Sequence, residues 1–152
     1  MNPLAHALTG ALIGQVAASP TLGFLGGLAS HLVLDAIPHT EGETFRGSSA
    51  TSVGVEHLEA AVELGLAVAG LWWVVTRCAS AQPFALALGA LGGIVPDLID
   101  QPLRMLHRPL LLHRMEWHHT LPRHRAGAGM LTQLAAALLA GLGVWRLSGC
   151  GW

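Results

Sequence analysis

The stretch AGAGMLTQLAAALLAGLGVW, residues 126–145, is twenty residues long and contains no Asp, Glu, Lys or Arg. A membrane-spanning helix needs about 20 consecutive apolar residues, because the hydrocarbon core of a bilayer is about 30 Å thick. We therefore predict that residues 126–145 cross a membrane as a helix. This prediction decides how the rest of the chain is interpreted.

The whole chain of 152 residues shares this apolar character. Apolar residues make up 52% of it and charged residues only 11%, whereas an average soluble domain is about 25% charged. This composition excludes a disordered chain, and a net charge of −1 offers no basic surface for nucleic acid. We expect an all-α, polytopic membrane bundle that forms a single domain, residues 1–152. A very apolar soluble bundle is the alternative.

Four further apolar stretches predict a total of about five helices. They are shorter than the first, at 15 to 19 residues, and they comprise residues 4–18, 21–37, 58–76 and 84–99. None shows the alternation of apolar and polar residues that is typical of a strand. Ser19-Pro20 and Ala81-Gln82-Pro83 are turn signals between them. Only residues 126–145 are expected to be a full-length span.

Two of these stretches resemble each other. Residues 25–35, LGGLASHLVLD, and residues 91–100, LGGIVPDLID, both contain Leu-Gly-Gly and both end an apolar helix with a polar pair. The similarity indicates a possible internal two-helix repeat, and coincidence in a Gly- and Leu-rich chain is the alternative.

Alternating crossings place the ionisable side chains together. If the chain crosses the membrane at each apolar stretch, all nine His and all nine Asp and Glu lie near one membrane face, here called the histidine side. Ionisable groups in or beside a membrane are costly and are candidates for function. Six Arg fall on the histidine side and two, Arg77 and Arg146, on the opposite side. The positive-inside rule then predicts an inner-membrane protein whose N-terminus and histidine side are cytoplasmic.

Two helix ends on the histidine side carry residue types that bind metals. His31 and Asp35 are four residues apart, so both side chains lie on one helix face. Imidazole and carboxylate suit zinc, manganese or iron; alternatively Asp35 orients the His31 ring, or the pair is a buried hydrogen bond without metal. Asp97 and Asp100 also share a face, and two close carboxylates repel unless a cation or a proton separates them. A solvated helix end is the alternative for this second pair.

A third cluster, His113-Arg114-Met115-Glu116-Trp117-His118, lies in the polar segment before residue 126. We expect at least one of its histidines to bind metal; the alternative is an interfacial loop anchored by Trp117. We predict a metal site on the histidine side, with zinc first and manganese or iron as alternatives. Its candidate ligands are His6, His31, Asp35, His39, His57, Asp97, Asp100, His113 and His118.

The sequence contains no nucleophile-elbow, Walker or dinucleotide-binding motif. We therefore expect a metal-activated water to be the nucleophile of any reaction. Glu56 or Asp100 is the candidate general base, since each is a carboxylate near the predicted ligands. Arg114 is the candidate for neutralising a phosphate, because its planar guanidinium matches phosphate oxygens. The two Cys are too few and too far apart in the chain for a zinc ribbon or a disulfide framework.

These motifs resemble the LexA-binding inner-membrane-associated hydrolase family of membrane-embedded, metal-dependent hydrolases. The matching pieces are His6, Pro96-Asp97 with Asp100, His113-Arg114 with His118, and His31 with Asp35. The His31–Asp35 helix end precedes the Pro-Asp helix end here, the reverse of the family order. The segment from His31 to His39 is also similar to a helix end of zinc-dependent phospholipase C. The resemblance implies a metal-dependent hydrolase, with phosphate esters as the expected substrate class.

Three functions are compatible with the sequence. The first is a metal-dependent hydrolase that acts on an amphiphilic or phosphorylated substrate, with membrane lipids as neighbours and no nucleic acid as partner. The second is a metal-binding or transport protein, although the opposite side offers few polar groups for a permeation path. The third is a noncatalytic membrane scaffold. The sequence predicts neither the oligomeric state nor the substrate.

Overall fold

The computed structural model describes residues 2–39, 50–105 and 126–150. Within these ranges the chain forms α-helices and no β-strand, which confirms the all-α prediction. The helices are α1 Pro3–Ala17, α2 Pro20–Asp35, α3 Ala50–Arg77, α4 Pro83–Met105 and α5 Ala126–Leu147.

Short polar residues and prolines set the starts of the first two helices. The Asn2 side chain accepts a hydrogen bond from the backbone N–H of Ala5 at 3.0 Å, and Pro3 occupies the first turn of α1. Ser19 and Pro20 repeat this arrangement at α2. Such caps satisfy backbone donors that the helix itself leaves unpaired, and proline at the first position costs no hydrogen bond. Both helices therefore start within one residue of the apolar stretches that predicted them.

Two helices are longer than their apolar stretches. Helix α3 has 28 residues and α4 has 23, whereas the apolar stretches predicted helices over 58–76 and 84–99. The helices continue into polar sequence beyond the apolar stretches, where periodicity gives no signal. Within the described ranges, three helices, α3, α4 and α5, are long and apolar enough to cross a membrane. The prediction of a single full-length span was therefore wrong, while α1 and α2 remain short at 15 and 16 residues.

Glycines bring α1, α2 and α4 into direct backbone contact. A Cβ added to Gly10 of α1 or to Gly27 of α2 would overlap the carbonyl oxygen of Gly89 in α4. A Cβ on Gly93 of α4 would likewise overlap the carbonyl oxygen of His6. Small residues allow membrane helices this close an approach. The three helices therefore form the centre of the bundle, and α3 and α5 both pack against α1.

The repeat predicted from the sequence corresponds to two helices that lie side by side. Gly92 of α4 lies against the Phe24 backbone of α2, and further along both helices His31 lies beside Asp97. Residue numbers increase in the same direction in both helices, so α2 and α4 are parallel. The offset of the pairing is close to that of the sequence alignment, in which Leu25 matches Leu91. The similar segments thus occupy similar places at one shared interface.

The outer surface of the bundle is apolar. Monomeric soluble proteins rarely expose apolar patches larger than a few hundred Å². Here each of the helices α2 to α5 exposes several large apolar side chains, whereas α1 is mostly covered and exposes Val16. Trp72, Trp73 and Phe84 are exposed near the Arg77 end, and the Trp73 ring stacks on Trp145 with centroids 4.6 Å apart. Aromatic rings of this kind cluster at membrane–water interfaces. A membrane environment therefore fits the surface.

The two cysteines form a disulfide at the end of the bundle remote from His6. Cys78 follows α3 and Cys150 follows α5, and the bond joins residues 72 apart in the chain. We expected no disulfide framework because of that separation, but the fold brings both helix ends to the same place. The buried Gln15 side chain of α1 reinforces this end by donating to the carbonyls of Ser80 and Leu147 and accepting from the Gln82 N–H.

Candidate metal centre

Three side chains predicted as metal ligands meet inside the bundle. His6 comes from α1, and His31 and Asp35 come from the last turns of α2. One ligand atom from each lies within 4.8 Å of the others. His6 and His31 are 0% and 1% exposed, so the bundle holds both imidazoles in a dry environment. The prediction that residues distant in sequence converge here is confirmed for these three.

The carboxylate of Asp35 lies between the two histidines. Its Oδ1 is 3.1 Å from Nε2 of His6, and its Oδ2 is 3.1 Å from Nε2 of His31. Each carboxylate oxygen therefore faces a different imidazole. The spacing of His31 and Asp35 across one helical turn makes this possible without any backbone irregularity.

A backbone carbonyl of α4 orients the His31 ring. Nδ1 of His31 lies 2.8 Å from the carbonyl oxygen of Gly93. Because a carbonyl oxygen only accepts, Nδ1 carries the proton and donates, which directs the lone pair of neutral His31 to Nε2. Metal-binding histidines commonly donate their other N–H to a carbonyl in this way. The hydrogen bond therefore presents Nε2 to the cluster in the form that binds a cation.

Pro96 lies inside α4, one turn after Gly93. A proline in a helix has no N–H to donate to the carbonyl four residues earlier, which here belongs to Gly92. In membrane helices, neighbouring helices compensate for backbone groups that a proline frees. The contact of His31 with the next carbonyl, that of Gly93, occurs in this same turn. The Pro-Asp sequence therefore lies in the turn of α4 that contacts the cluster.

Asp97 adds a second carboxylate from α4. Its Oδ1 lies 3.8 Å from Nε2 of His31, and its side chain is 30% exposed. The other members of the cluster are nearly inaccessible, so Asp97 lies on the open side of the site.

The donor atoms require a positive charge between them. The lone pair of neutral His31 at Nε2 and the oxygens of Asp35 and Asp97 would otherwise repel, and buried carboxylates are costly unless they are paired. A proton on the imidazole or a bound cation meets this requirement. Donor atoms that share a tetrahedral zinc ion at about 2.0–2.2 Å lie about 3.3–3.6 Å apart. The separations of 3.1 to 3.8 Å in the cluster are close to this range.

Two other predicted ligands in the described part of the chain are buried outside this group. His39 is 0% exposed, and its Nδ1 donates to the carbonyl of Ile37 at 2.8 Å. Asp100 is 1% exposed. Neither belongs to the group whose ligand atoms converge. Their proposed roles as metal ligands, and that of Asp100 as general base, stay predictions.

The other predicted site residues fall outside the part of the chain that the structure describes in full. Glu56 and His57 lie in the first turns of α3, but their side chains fall outside the described parts of the chain. His113, Arg114 and His118 lie between α4 and α5, outside the described residues.

Two contacts near the cluster were not predicted from the sequence. The first is the His31–Gly93 hydrogen bond, for which the only available signal was the similarity of the two Leu-Gly-Gly segments. The second joins α1 to α3, where the Asn2 side-chain amide donates to Oε1 of Glu63 at 3.3 Å. Asn2 also caps the helix that carries His6, so this contact fixes the start of α1.

Comparison of the chain with protein-family models, curated proteins and solved structures finds no match. The resemblance to membrane-embedded hydrolases therefore stays a prediction from short motifs.

Proposed function

We propose that this chain is a membrane-embedded, metal-dependent hydrolase whose site lies on the histidine side. The observation that carries the proposal is the convergence of His6, His31 and Asp35, with ligand atoms within 4.8 Å of one another. Asp97, at 3.8 Å from His31, supplies a further oxygen. Imidazole and carboxylate together form a typical ligand set for a catalytic zinc ion, and manganese or iron are alternatives.

Each described side chain has a distinct role in the proposal. His6, His31 and Asp35 are the metal ligands, and the Gly93 carbonyl keeps the His31 ring in place. Divalent metal bound by these side chains would lower the pKa of a bound water toward about 7 and so supply a nucleophile. Asp97 lies where a substrate would arrive, since it is the exposed member of the cluster.

The protein surroundings favour an amphiphilic substrate. Leu98 and Ile99, which follow Asp97 directly, are about half exposed. A substrate that reaches Asp97 from the membrane therefore meets aliphatic side chains before it meets the carboxylate. We propose phosphate esters or lipid-like molecules at the cytoplasmic interface as substrates, with Glu56 or Asp100 as general base and Arg114 as phosphate partner.

The disulfide supports the proposed orientation in the inner membrane. Disulfides persist in oxidising compartments and are rare in the cytosol. Cys78–Cys150 lies at the end of the bundle remote from the His6 cluster, so the cluster would face the cytoplasm. The excess of Arg on the histidine side leads to the same orientation by independent reasoning. Cysteine-labelling of a reduced sample from either side of inverted vesicles tests it.

Metal analysis of detergent-purified protein tests the proposed function. Wild type should retain a divalent metal and hydrolyse a phosphodiester or ester, and Asp35→Ala should lose both metal and activity. Ser30→Ala is a matched control, because Ser30 is buried beside His31 yet hydrogen-bonds only to the Gly27 carbonyl of its own helix. Full activity in metal-free protein would contradict the proposal. Absence of bound metal in the folded wild type would favour a noncatalytic scaffold instead.

A further inference from the structure

The two histidine rings of the cluster are stacked. The ring centroids of His6 and His31 lie 4.1 Å apart, and the ring planes are inclined by only 26°. Both rings nevertheless present Nε2 to the same carboxylate, that of Asp35. This combination restricts where a cation bound to each ring can lie.

One ion cannot lie in both ring planes. The lone pair of an imidazole nitrogen lies in the plane of the ring, and a zinc-type ion sits about 2 Å from that nitrogen. Such an ion is then roughly 3 Å from the ring centroid. Planes inclined by 26° with centroids 4.1 Å apart meet only roughly 7–9 Å away. An ion shared by both nitrogens would therefore lie well above the face of at least one ring, where the nitrogen has no lone pair.

The carboxylate between the rings offers a different solution. Oδ1 of Asp35 faces His6 and Oδ2 faces His31, each at 3.1 Å. Two catalytic metal ions bound to a common site typically lie about 3.5–4 Å apart. The separation of the stacked rings, 4.1 Å, is close to that spacing.

We propose that the cluster is a two-metal centre bridged by Asp35, an inference that rests on the proposed metal-dependent function. The first ion binds Nε2 of His6 and Oδ1 of Asp35. The second binds Nε2 of His31, Oδ2 of Asp35 and Oδ1 of Asp97.

The two positions are unequal, which gives a specific expectation. Among the described residues the second ion has three donors, from His31, Asp35 and Asp97, whereas the first has two. The second position therefore fills at lower metal concentration, and binding proceeds in two steps.

The charges point to the kind of substrate group that such a centre takes. Two divalent ions bring four positive charges, and the described ligands Asp35 and Asp97 bring two negative ones. The surplus attracts an anionic group, and paired metal ions bridge the oxygens of a phosphoryl group during its displacement. A phosphate ester headgroup therefore fits the centre better than a neutral carboxylic ester.

Manganese titration of the purified full chain tests the inference. Wild type should bind two Mn²⁺ per chain and give the exchange-coupled electron paramagnetic resonance spectrum of adjacent ions. His6→Gln should bind one Mn²⁺ with an uncoupled spectrum, because only the second position survives. Asp97→Asn should keep both positions but weaken the tighter one, whereas Ser30→Ala should behave as wild type.

The outcomes separate this inference from the proposed function. One uncoupled Mn²⁺ per chain in wild type, together with hydrolytic activity, overturns the two-metal centre and leaves the metal-dependent hydrolase intact. No bound Mn²⁺ in folded wild type overturns both. Loss of a second ion in Ser30→Ala to the same extent as in His6→Gln would also contradict the assignment, because the described Ser30 hydroxyl hydrogen-bonds to the Gly27 carbonyl and not to a side chain of the cluster.

Discussion

Asp35 is the residue on which the cluster depends, because it is in contact with both imidazoles. Asp35→Asn keeps the side-chain shape but replaces one oxygen by an amide nitrogen, which does not bind a metal ion. We expect metal affinity to fall by more than about 100-fold, since loss of outer partners alone costs 10- to 100-fold. Equilibrium dialysis with Zn²⁺ checks this, with Ser30→Ala as control. Unchanged affinity in Asp35→Asn would remove Asp35 from the ligand set.

Gln15 allows a test of stability at the other end of the bundle, where its side chain joins three helix ends by hydrogen bonds. Gln15→Leu removes the two donated bonds to Ser80 and Leu147 and the one accepted from Gln82. Each loss leaves a partly buried backbone group without its partner, at about 1–3 kcal/mol per group. We expect unfolding in detergent at a clearly lower denaturant concentration, with metal content unchanged. A loss of metal would show that the two ends of the bundle are coupled.

At the scale of single residues, the sequence predicted which side chains meet better than it predicted how they are held. His6, His31, Asp35 and Asp97 were identified as candidates because imidazole and carboxylate groups are conspicuous in so apolar a chain. The partner of His31 at Nδ1 is a backbone carbonyl, and every residue has one, so no side-chain pattern points to Gly93. Its role becomes visible only when α2 and α4 are placed side by side.

At the scale of helices, the close packing of α1 against α4 is what holds His6 in place. Gly93→Ala introduces a Cβ that overlaps the His6 carbonyl, which belongs to the backbone and moves only with the helix. We expect this substitution to separate α1 from α4, to lower stability by about 1–3 kcal/mol and to weaken metal binding. Thermal unfolding and metal titration measure the two effects.

Gly65→Ala in α3 is the matched control for that substitution. A Cβ at Gly65 has no heavy atom within 4 Å among its described surroundings, and Ala favours the helix by about 1 kcal/mol over Gly in a helix interior. Gly65→Ala should therefore leave metal binding unchanged and preserve or slightly raise stability. Equal damage from both substitutions would mean that helix flexibility, and not the α1–α4 contact, explains the result for Gly93.

The helix ends show where prediction from sequence stops. The apolar stretches predicted the starts of α1 and α2 to within a residue, because the capping residues Asn2 and Ser19 and the prolines after them lie directly before the apolar sequence. The extra turns of α3 and α4 run through polar residues such as Glu56 and Asp100, where the apolar pattern has already ended. Beyond the apolar stretch, contacts with neighbouring helices and with solvent determine whether the backbone stays helical. The local residue pattern does not predict these contacts.

At the scale of the whole molecule, the disulfide closes a long covalent loop. Replacing Cys78 and Cys150 together by Ala frees a loop of 72 residues, which on the chain-entropy account lowers the free energy of unfolding by about 4 kcal/mol. We expect a lower unfolding temperature for the double variant and an unchanged metal content. Reduction of the wild-type protein should reproduce the effect, and a protein equally stable with and without the bond would contradict it.

The shortness of α2 has a consequence for the lipids around the protein. Its 16 residues span about 24 Å, about 6 Å less than a typical hydrocarbon core, and Leu22, Leu25 and Val33 expose one face of it. Such a hydrophobic mismatch draws the bilayer thinner beside a short helix. Phosphate headgroups would then dip toward the end of α2 that bears His31 and Asp35. The membrane itself would shorten the path by which the proposed lipid substrate reaches the proposed metal centre.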